Sequence, residues 1–185
     1  MTGENRLAAL GLKSYGKNVT IWPLAKIVQP EVISIGNDVI IDDFVFLMGG
    51  RKTDIGDFIH IGSFTSITGG GEFIMEDFSG LSSGVRVFTG HEDYTGGYLT
   101  NPTVPEPYRH AFRLFVKIGK HAVVGANAVI LAGITIGEGC AIGACSLILK
   151  DCDPWTIYAG VPAKPIGKRP SEKILELEMK LRECF

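Results

Sequence analysis

At 185 residues the chain has the length of one domain, or of one domain with a tail, and 45% hydrophobic residues with 24 glycines give it ample core material. A formal charge of −2 offers no electrostatic footprint for a nucleic-acid partner. No run approaches the ~18 consecutive apolar residues of a membrane span, and residues 1–16, MTGENRLAALGLKSYG, hold no basic stretch followed by an apolar one, so neither a span nor a secretory signal is expected.

In chain order, residues 1–14 read as an N-terminal tail. From Tyr15 a periodic pattern begins. Apolar residues lead hexads at Tyr15, Ile21 and Ile27; at Ile35, Ile41 and Leu47; at Ile55, Ile61 and Ile67; and at Met75, Leu81 and Val87. Within a set the step is 6 residues and between sets it is 8, a period of 20. From Ile118 the rhythm tightens to a period of 18, led by Ile118, Val124, Ile130, Ile136, Ile142 and Ile148. There, every fifth hexad position is small or β-branched: Ala122, Ala128, Ile134, Cys140, Ser146 and Cys152.

A lead residue and the residue two before it share one side of a short strand, because strand side chains alternate. The Gly, Asp and Asn that follow each lead are turn formers. Strand and turn three times over close a triangular coil, and stacked coils bury a continuous apolar prism. The spacing therefore predicts an all-β parallel solenoid over residues 15–153. An evenly spaced β-sandwich would not keep so many hexads in phase.

The rhythm breaks once. After Val87 the next coil should open near residue 95, yet the leads resume at Ile118, so about 23 residues are inserted at one corner. The inserted loop, about 89–117, holds Tyr94, Tyr98, Tyr108, Phe112 and Phe115 together with His91 and His110. Long ordered loops on rigid scaffolds commonly carry function. After Asp153 comes a Pro-rich closing segment, 154–170, and then a helix over 171–185 with Ser171 as N-cap and an apolar stripe of Ile174, Leu175, Leu177 and Leu181. Blunting the open end of the solenoid is the expected role of that helix.

Three features carry a resemblance: the hexads, the Thr-Gly-His at residues 89–91, and the segment LILKDCDPWTIYAGVPAKPIGK at 147–168. Together they resemble the hexapeptide-repeat acyltransferases, and are most similar to the branch of galactoside and maltose O-acetyltransferases and the sugar acetyltransferases of surface-polysaccharide clusters. The resemblance covers residues 15–168. It implies a left-handed β-helix, a homotrimer with active sites between neighbouring subunits, and acetyl-CoA as donor. By position it implies His91 as the catalytic base, Ala126 and Ala144 beside the pantetheine arm, Leu149 and Lys150 before the final turn, and Lys164 near the CoA phosphates. Lys168 and Arg169 stand beside Lys164. Gly62 and Ser63 depart from the asparagine that galactoside-type enzymes carry there, and the N-terminal helical segment of those enzymes is not matched, so the acceptor is not copied from them.

An imidazole suits removal of an acceptor proton near neutrality. Glu92 or Asp93 is the candidate to orient that ring, and Glu92, Asp93, Tyr94 and His110 are candidates for acceptor contact. His60 reads as solvated, His121 as a turn residue, and Trp22 and Trp155 as packing. The resemblance implies as acceptor a sugar or nucleotide-sugar of a surface glycan, acylated at a hydroxyl or an amine. A metal-dependent solenoid enzyme of the γ-carbonic anhydrase kind needs three closely placed histidines on zinc; with histidines at 60, 91, 110 and 121 no metal site is expected. Cys140, Cys145, Cys152 and Cys184 form no CxxC pair and read as reduced thiols of a cytoplasmic protein. A non-catalytic scaffold is the alternative; it leaves the inserted loop unexplained.

Overall fold

The computed structural model describes residues 3–183, so Cys184 and the end of the expected helix lie outside the described residues. Short strands stack into three parallel sheets of six, eight and six strands, parallel throughout except for the last strand of the second. The first sheet runs from Ser14–Tyr15 to Ile134–Ile136, the second from Thr20–Ile21 to Ala163–Lys168, and the third from Lys26–Val28 to Leu147–Ile148. Each strand pairs with its equivalent in the next coil. Ile41 pairs Ile61, a step of 20, and Val129 pairs Leu147, a step of 18.

The leads point inward. Ile41, Ile61, Leu81, Ile118, Ile130 and Ile148 are all buried, and Tyr15, at the open first coil, is exposed. Burying each such side chain is worth about 1.5–3 kcal/mol, and the stack lines them into one core. The fifth-position residues Ala122, Ala128, Cys140, Ser146 and Cys152 are buried beside them. Corners are tightened by residues in the left-handed conformation. Phe58, Phe78 and His121 hold φ of 57°, 59° and 57°, and their rings stack, Phe58 on Phe78 at 4.8 Å and Phe78 on His121 at 5.2 Å. Along the same corner, side-chain oxygens accept from the amides of the coil before: Asn37 Oδ1 from Lys17 N, Asp57 Oδ1 from Asn37 N, and Asp77 Oδ1 from Asp57 N.

The two chain ends differ from expectation. Residues 1–14, read as a tail, contain helix α1, Gly3–Leu10, with Leu7 buried and Leu10 and Leu12 packed on the core. It plugs the open first coil, whose exposed apolar floor needs a cover. The other end is closed by an antiparallel hairpin, Thr156–Gly160 with Ala163–Lys168. Helix α2, Glu172–Arg182, does not cap that end. It turns back along the corner between the first and second sheets, where Glu178 meets Lys120 and His121, and Arg182 meets Asp77. Ser171 takes the N-cap position without a side-chain hydrogen bond. No helix among the described residues is long and apolar enough to cross a membrane.

Candidate active site

The insertion leaves the prism at the end of the third sheet and returns to the first. Phe73 pairs Val116, a step of 43 residues where Phe73 and Thr53 differ by 20. The loop proper ends at Leu114, because Phe115–Ile118 already lies in the first sheet. Its stem is an antiparallel pair, Gly90–Glu92 with Ala111–Arg113, in which His91 faces Phe112.

Three consecutive glycines, Gly69 to Gly71, make room for this root. A Cβ on Gly71 would fall on the carbonyl oxygens of Thr89 and Leu114, and one on Gly69 on the backbone of Gly90. The same spot is laced by hydrogen bonds: Thr89 Oγ1 donates to Thr68 O at 2.8 Å and accepts from Gly71 N at 2.9 Å, and Leu114 N donates to Thr89 O at 2.8 Å. Gly71→Ala is expected to push the stem away from the prism and lower turnover by about tenfold. The far-UV spectrum of the solenoid should stay unchanged; wild-type turnover in the folded variant would contradict this.

His91 is exposed, with its ring stacked on Phe112 at 5.0 Å and tilted against Tyr94 at 6.0 Å. Its Nδ1 lies 2.7 Å from the main-chain oxygen of Glu92. A carbonyl only accepts, so in the neutral ring Nδ1 carries the hydrogen and Nε2 keeps its lone pair. The ring is thus oriented by the Glu92 backbone and not by the carboxylate of Glu92 or Asp93, as sequence suggested. Adjacent side chains diverge along a strand, which leaves both carboxylates facing elsewhere. Glu92 Oε1 accepts from Arg109 Nη1 at 3.1 Å. Asp93, 6% exposed, organises the loop: its oxygens accept from Thr95 N and Oγ1 at 2.8 and 2.6 Å, and from Gly97 N and Tyr98 N at 2.6 and 2.9 Å. The Thr95 hydroxyl and these amides, outweighing burial, hold its carboxyl down at about 2.

His91 opens onto a pocket of ≈ 490 Å³ lined by Phe88, Gly90, His91, Tyr94, Leu131, Ala132 and Leu149. His91 is its one imidazole, set in an otherwise apolar wall. Phe88, Leu131 and Leu149 come from successive coils, since Val87 pairs Ile130 and Ile130 pairs Ile148 just before them. They form an outward ladder with the ~4.8 Å rise of neighbouring strands. Leu149 also borders a second pocket of ≈ 390 Å³, shared with Lys150, Tyr158, Ala163 and Lys164. Leu149 is thus shared between the imidazole's pocket and one that holds two lysines and the carboxylate of Asp151.

Of the residues singled out in the sequence, His91, Tyr94 and Leu149 meet in the first pocket, and Leu149, Lys150 and Lys164 in the second. His110 stands nearby, edge-on to Phe112 at 4.5 Å. Ala126 and Ala144 line neither pocket. They sit in the corner turns between the second and third sheets, before the strands Val129–Ile130 and Leu147–Ile148 that Leu131 and Leu149 follow. Lys168 and Arg169 are occupied structurally, Lys168 on Thr156 Oγ1 at 2.9 Å and Arg169 on the His121 and Gly139 carbonyls at 2.8 and 3.0 Å. His60 faces outward and bonds Asp42 at 3.0 Å, while His121 is buried against Glu178. Sequence reading missed Phe88 and Leu131. Their signal was an apolar residue directly after the third lead of successive coils, where the first two leads of a coil carry turn formers. Among the described residues no cluster of His, Cys, Asp and Glu is arranged to hold a metal ion.

Residues 115–150 match the model for the bacterial transferase hexapeptide (six repeats). The chain is 43% identical over 176 residues, 95% of its length and 91% of the relative's, to dTDP-4-amino-4,6-dideoxy-D-glucose acyltransferase of Escherichia coli. It belongs to the hexapeptide-repeat acyltransferases. Its chemistry is acyl transfer from a coenzyme A thioester. AntD, an N-acyltransferase from Bacillus cereus solved with dTDP and 3-hydroxybutyryl-CoA, superposes with a TM-score of 0.92 at 40% identity, covering 98% of this chain and 95% of that one. A mutant of the same enzyme, in complex with dTDP-4-amino-4,6-dideoxyglucose and coenzyme A, gives a TM-score of 0.92 at 39% identity, with 98% and 96% covered. Chloramphenicol acetyltransferase of Agrobacterium fabrum is 33% identical over 128 residues, 66% of this acyltransferase and 57% of the relative.

Proposed function

We propose that this acyltransferase moves a short acyl group from acyl-CoA to the amine of a nucleotide-linked amino sugar, with His91 as the base. The observation that carries the reading is the imidazole held through Nδ1 in an apolar pocket that shares Leu149 with a second pocket lined by Lys150 and Lys164. The apolar ladder suits a pantetheine arm, and the lysines suit the CoA phosphates as point charges. The relatives named for a dTDP-linked 4-amino sugar favour an amine over the hydroxyl that sequence left open.

A sugar amine is largely protonated at neutral pH and has no lone pair in that form. The ammonium first gives one proton to solvent; the neutral nitrogen then attacks the thioester carbonyl while His91 Nε2 takes the second proton the nitrogen loses. The C–S bond breaks as the C–N bond forms, and the imidazolium returns its proton to the departing CoA thiolate as free thiol. Tyr94 and His110, exposed on the loop beside His91, are the groups we assign to the acceptor side, above the turn built by Asp93.

Homotrimer formation belongs to the same proposal. Phe44 and Phe64 stack at 5.0 Å on the corner that also carries Ala126 and Ala144, and both rings are more than half exposed. Phe88, Leu131 and Leu149, at the other end of the third sheet, are exposed as well, and exposed apolar side chains on one face suit an interface. A neighbouring subunit's corner would bring Ala126 and Ala144 to the CoA path. We place the reaction in the cytoplasm, on a precursor of a surface glycan.

Free-thiol release from acetyl-CoA, with dTDP-4-amino-4,6-dideoxyglucose and its 4-hydroxy counterpart as acceptors, tests the reading. Turnover with the amine at least ~100-fold above the hydroxyl is expected, by the loss of a nucleophile the site is built to deprotonate. Equal turnover, or turnover with the hydroxyl alone, would overturn the amine assignment.

A further inference from the structure

Among the described residues, two buried side-chain polar atoms lack a hydrogen-bond partner, Glu92 Oε2 and Arg109 Nε, and both belong to one ion pair beside His91. A guanidinium and a carboxylate can meet through two parallel bonds. Here they share one, Nη1 to Oε1 at 3.1 Å, with side chains only 17% and 26% exposed. A pair selected for stability alone would close the second bond, since buried orphan atoms are costly. Departures of this kind concentrate where function constrains geometry.

The pair's position shows what it constrains. Arg109 lies on the return side of the loop, two residues before the strand Ala111–Arg113, and is bridged to Leu99. Glu92 is the last residue of the outgoing strand, opposite Ala111. The ion pair ties the two sides together just beyond the last ladder pair, at the residue whose carbonyl accepts from His91 Nδ1.

We propose that Glu92 and Arg109 are positioning residues: their ion pair holds the Glu92 carbonyl on His91 Nδ1 and so keeps Nε2 unprotonated and aimed into the pocket. This rests on the reading of His91 as base. The charged and titratable groups around the ring are Glu92, Asp93, Tyr94, Arg109 and His110 from the loop, while the third sheet contributes only Phe88, Leu131, Ala132 and Leu149. Arg113 is turned away, onto the Gly69 carbonyl. Asp93 keeps its amide partners whichever member of the pair is changed, so the net charge beside His91 is set by Glu92 and Arg109 together.

The test is ¹⁵N NMR of the histidine rings in the full-length protein, with the His91 signal assigned through His91→Gln, which reports tautomer and titration midpoint without needing an acceptor. Wild-type His91 should show the Nδ1–H tautomer. Glu92→Gln keeps an acceptor for Arg109, so the tautomer persists, but the uncompensated guanidinium should move the midpoint down. Arg109→Met frees the carbonyl, so a tautomer mixture is expected, and the unpaired Glu92 carboxylate should move the midpoint up. Arg109→Lys should restore part of the Nδ1–H population. In turnover, Arg109→Met should lower kcat by roughly tenfold, a fraction of the ~10²–10⁴ a positioned base supplies, with KM for acyl-CoA unchanged. A pair that merely staples the loop would leave tautomer and midpoint alone, or move both variants the same way; either outcome overturns the proposal. The underlying reading fails separately, by full turnover in His91→Ala.

Discussion

His91→Ala is expected to lower kcat with the amino-sugar acceptor by at least ~100-fold, with KM for acyl-CoA within about threefold of wild type. The split follows from where the ring sits. In the proposed reading CoA runs from the pocket past Leu131 and Leu149 towards Lys150 and Lys164, and His91 lines only the first pocket. Removing the imidazole takes away the group that strips the acceptor amine, an event confined to the transition state, and leaves the donor's binding surface intact. The ring also stacks on Phe112, so His91→Gln belongs beside the alanine variant, since it keeps side-chain bulk there without a proton acceptor near neutrality. Both variants should lose activity alike while the melting temperature stays close to wild type. Unchanged kcat in both would move the base to the leaving thiolate or to another loop group. A raised KM at constant kcat would make His91 a binding residue.

Much of this molecule could be read before its structure, because a solenoid writes its geometry into the chain. A lead every six residues can only be satisfied by strands that turn at that interval, so Ile41, Ile61 and Ile118 were recognisable as core from spacing alone. The break in spacing located the loop, and the resemblance of its Thr-Gly-His singled out His91. What escaped was anything set by contacts between coils or between chain ends. The three glycines at 69–71 are the clearance for a strand pair 20 and 43 residues further on, and no local pattern announces that. The orienting group for His91 is a backbone carbonyl, which every residue has and no sequence displays. The ladder of Phe88, Leu131 and Leu149 spans the insertion, so its members stand 43 and 18 residues apart and share no common period. In α1, Leu7 and its neighbours are too few to outline an apolar face, although the open coil beneath them required a cover.

Helix α2 gives the sharpest case of a charge concealing an interface, and the second large effect. Its stripe of leucines suggested the docking face, yet Leu177 and Met179 are exposed and Glu178 is buried. The helix docks through Ile174, Glu178 and Leu181, with a carboxylate at the centre. Lys120 Nζ and Arg182 Nε donate to Oε1 at 2.6 and 2.7 Å, and His121 Nε2 to Oε2 at 2.7 Å. Arg182 reaches on to Asp77 at 3.1 Å and covers the Phe78 ring. Burial works against the ionised carboxyl of Glu178, but the bonds from Lys120, Arg182 and His121 outweigh it and hold the group at about 2, below the ordinary 4.5. A depressed carboxyl stabilises the fold fully above its unfolded value and loses that contribution as pH falls through its folded one. Glu178→Gln should therefore lower the melting temperature at pH ~7 by roughly 5–10 °C, because the buried amide sets a donor against buried His121 and the partly exposed Lys120 and Arg182. The gap between variant and wild type should then narrow as pH falls from ~5 towards ~2, where the wild-type carboxyl itself takes up a proton. Thermal melts of both proteins across that range check the sign. Coincident curves would mean that the carboxylate contributes nothing to the docking, and parallel curves with a constant gap that its ionisation does not.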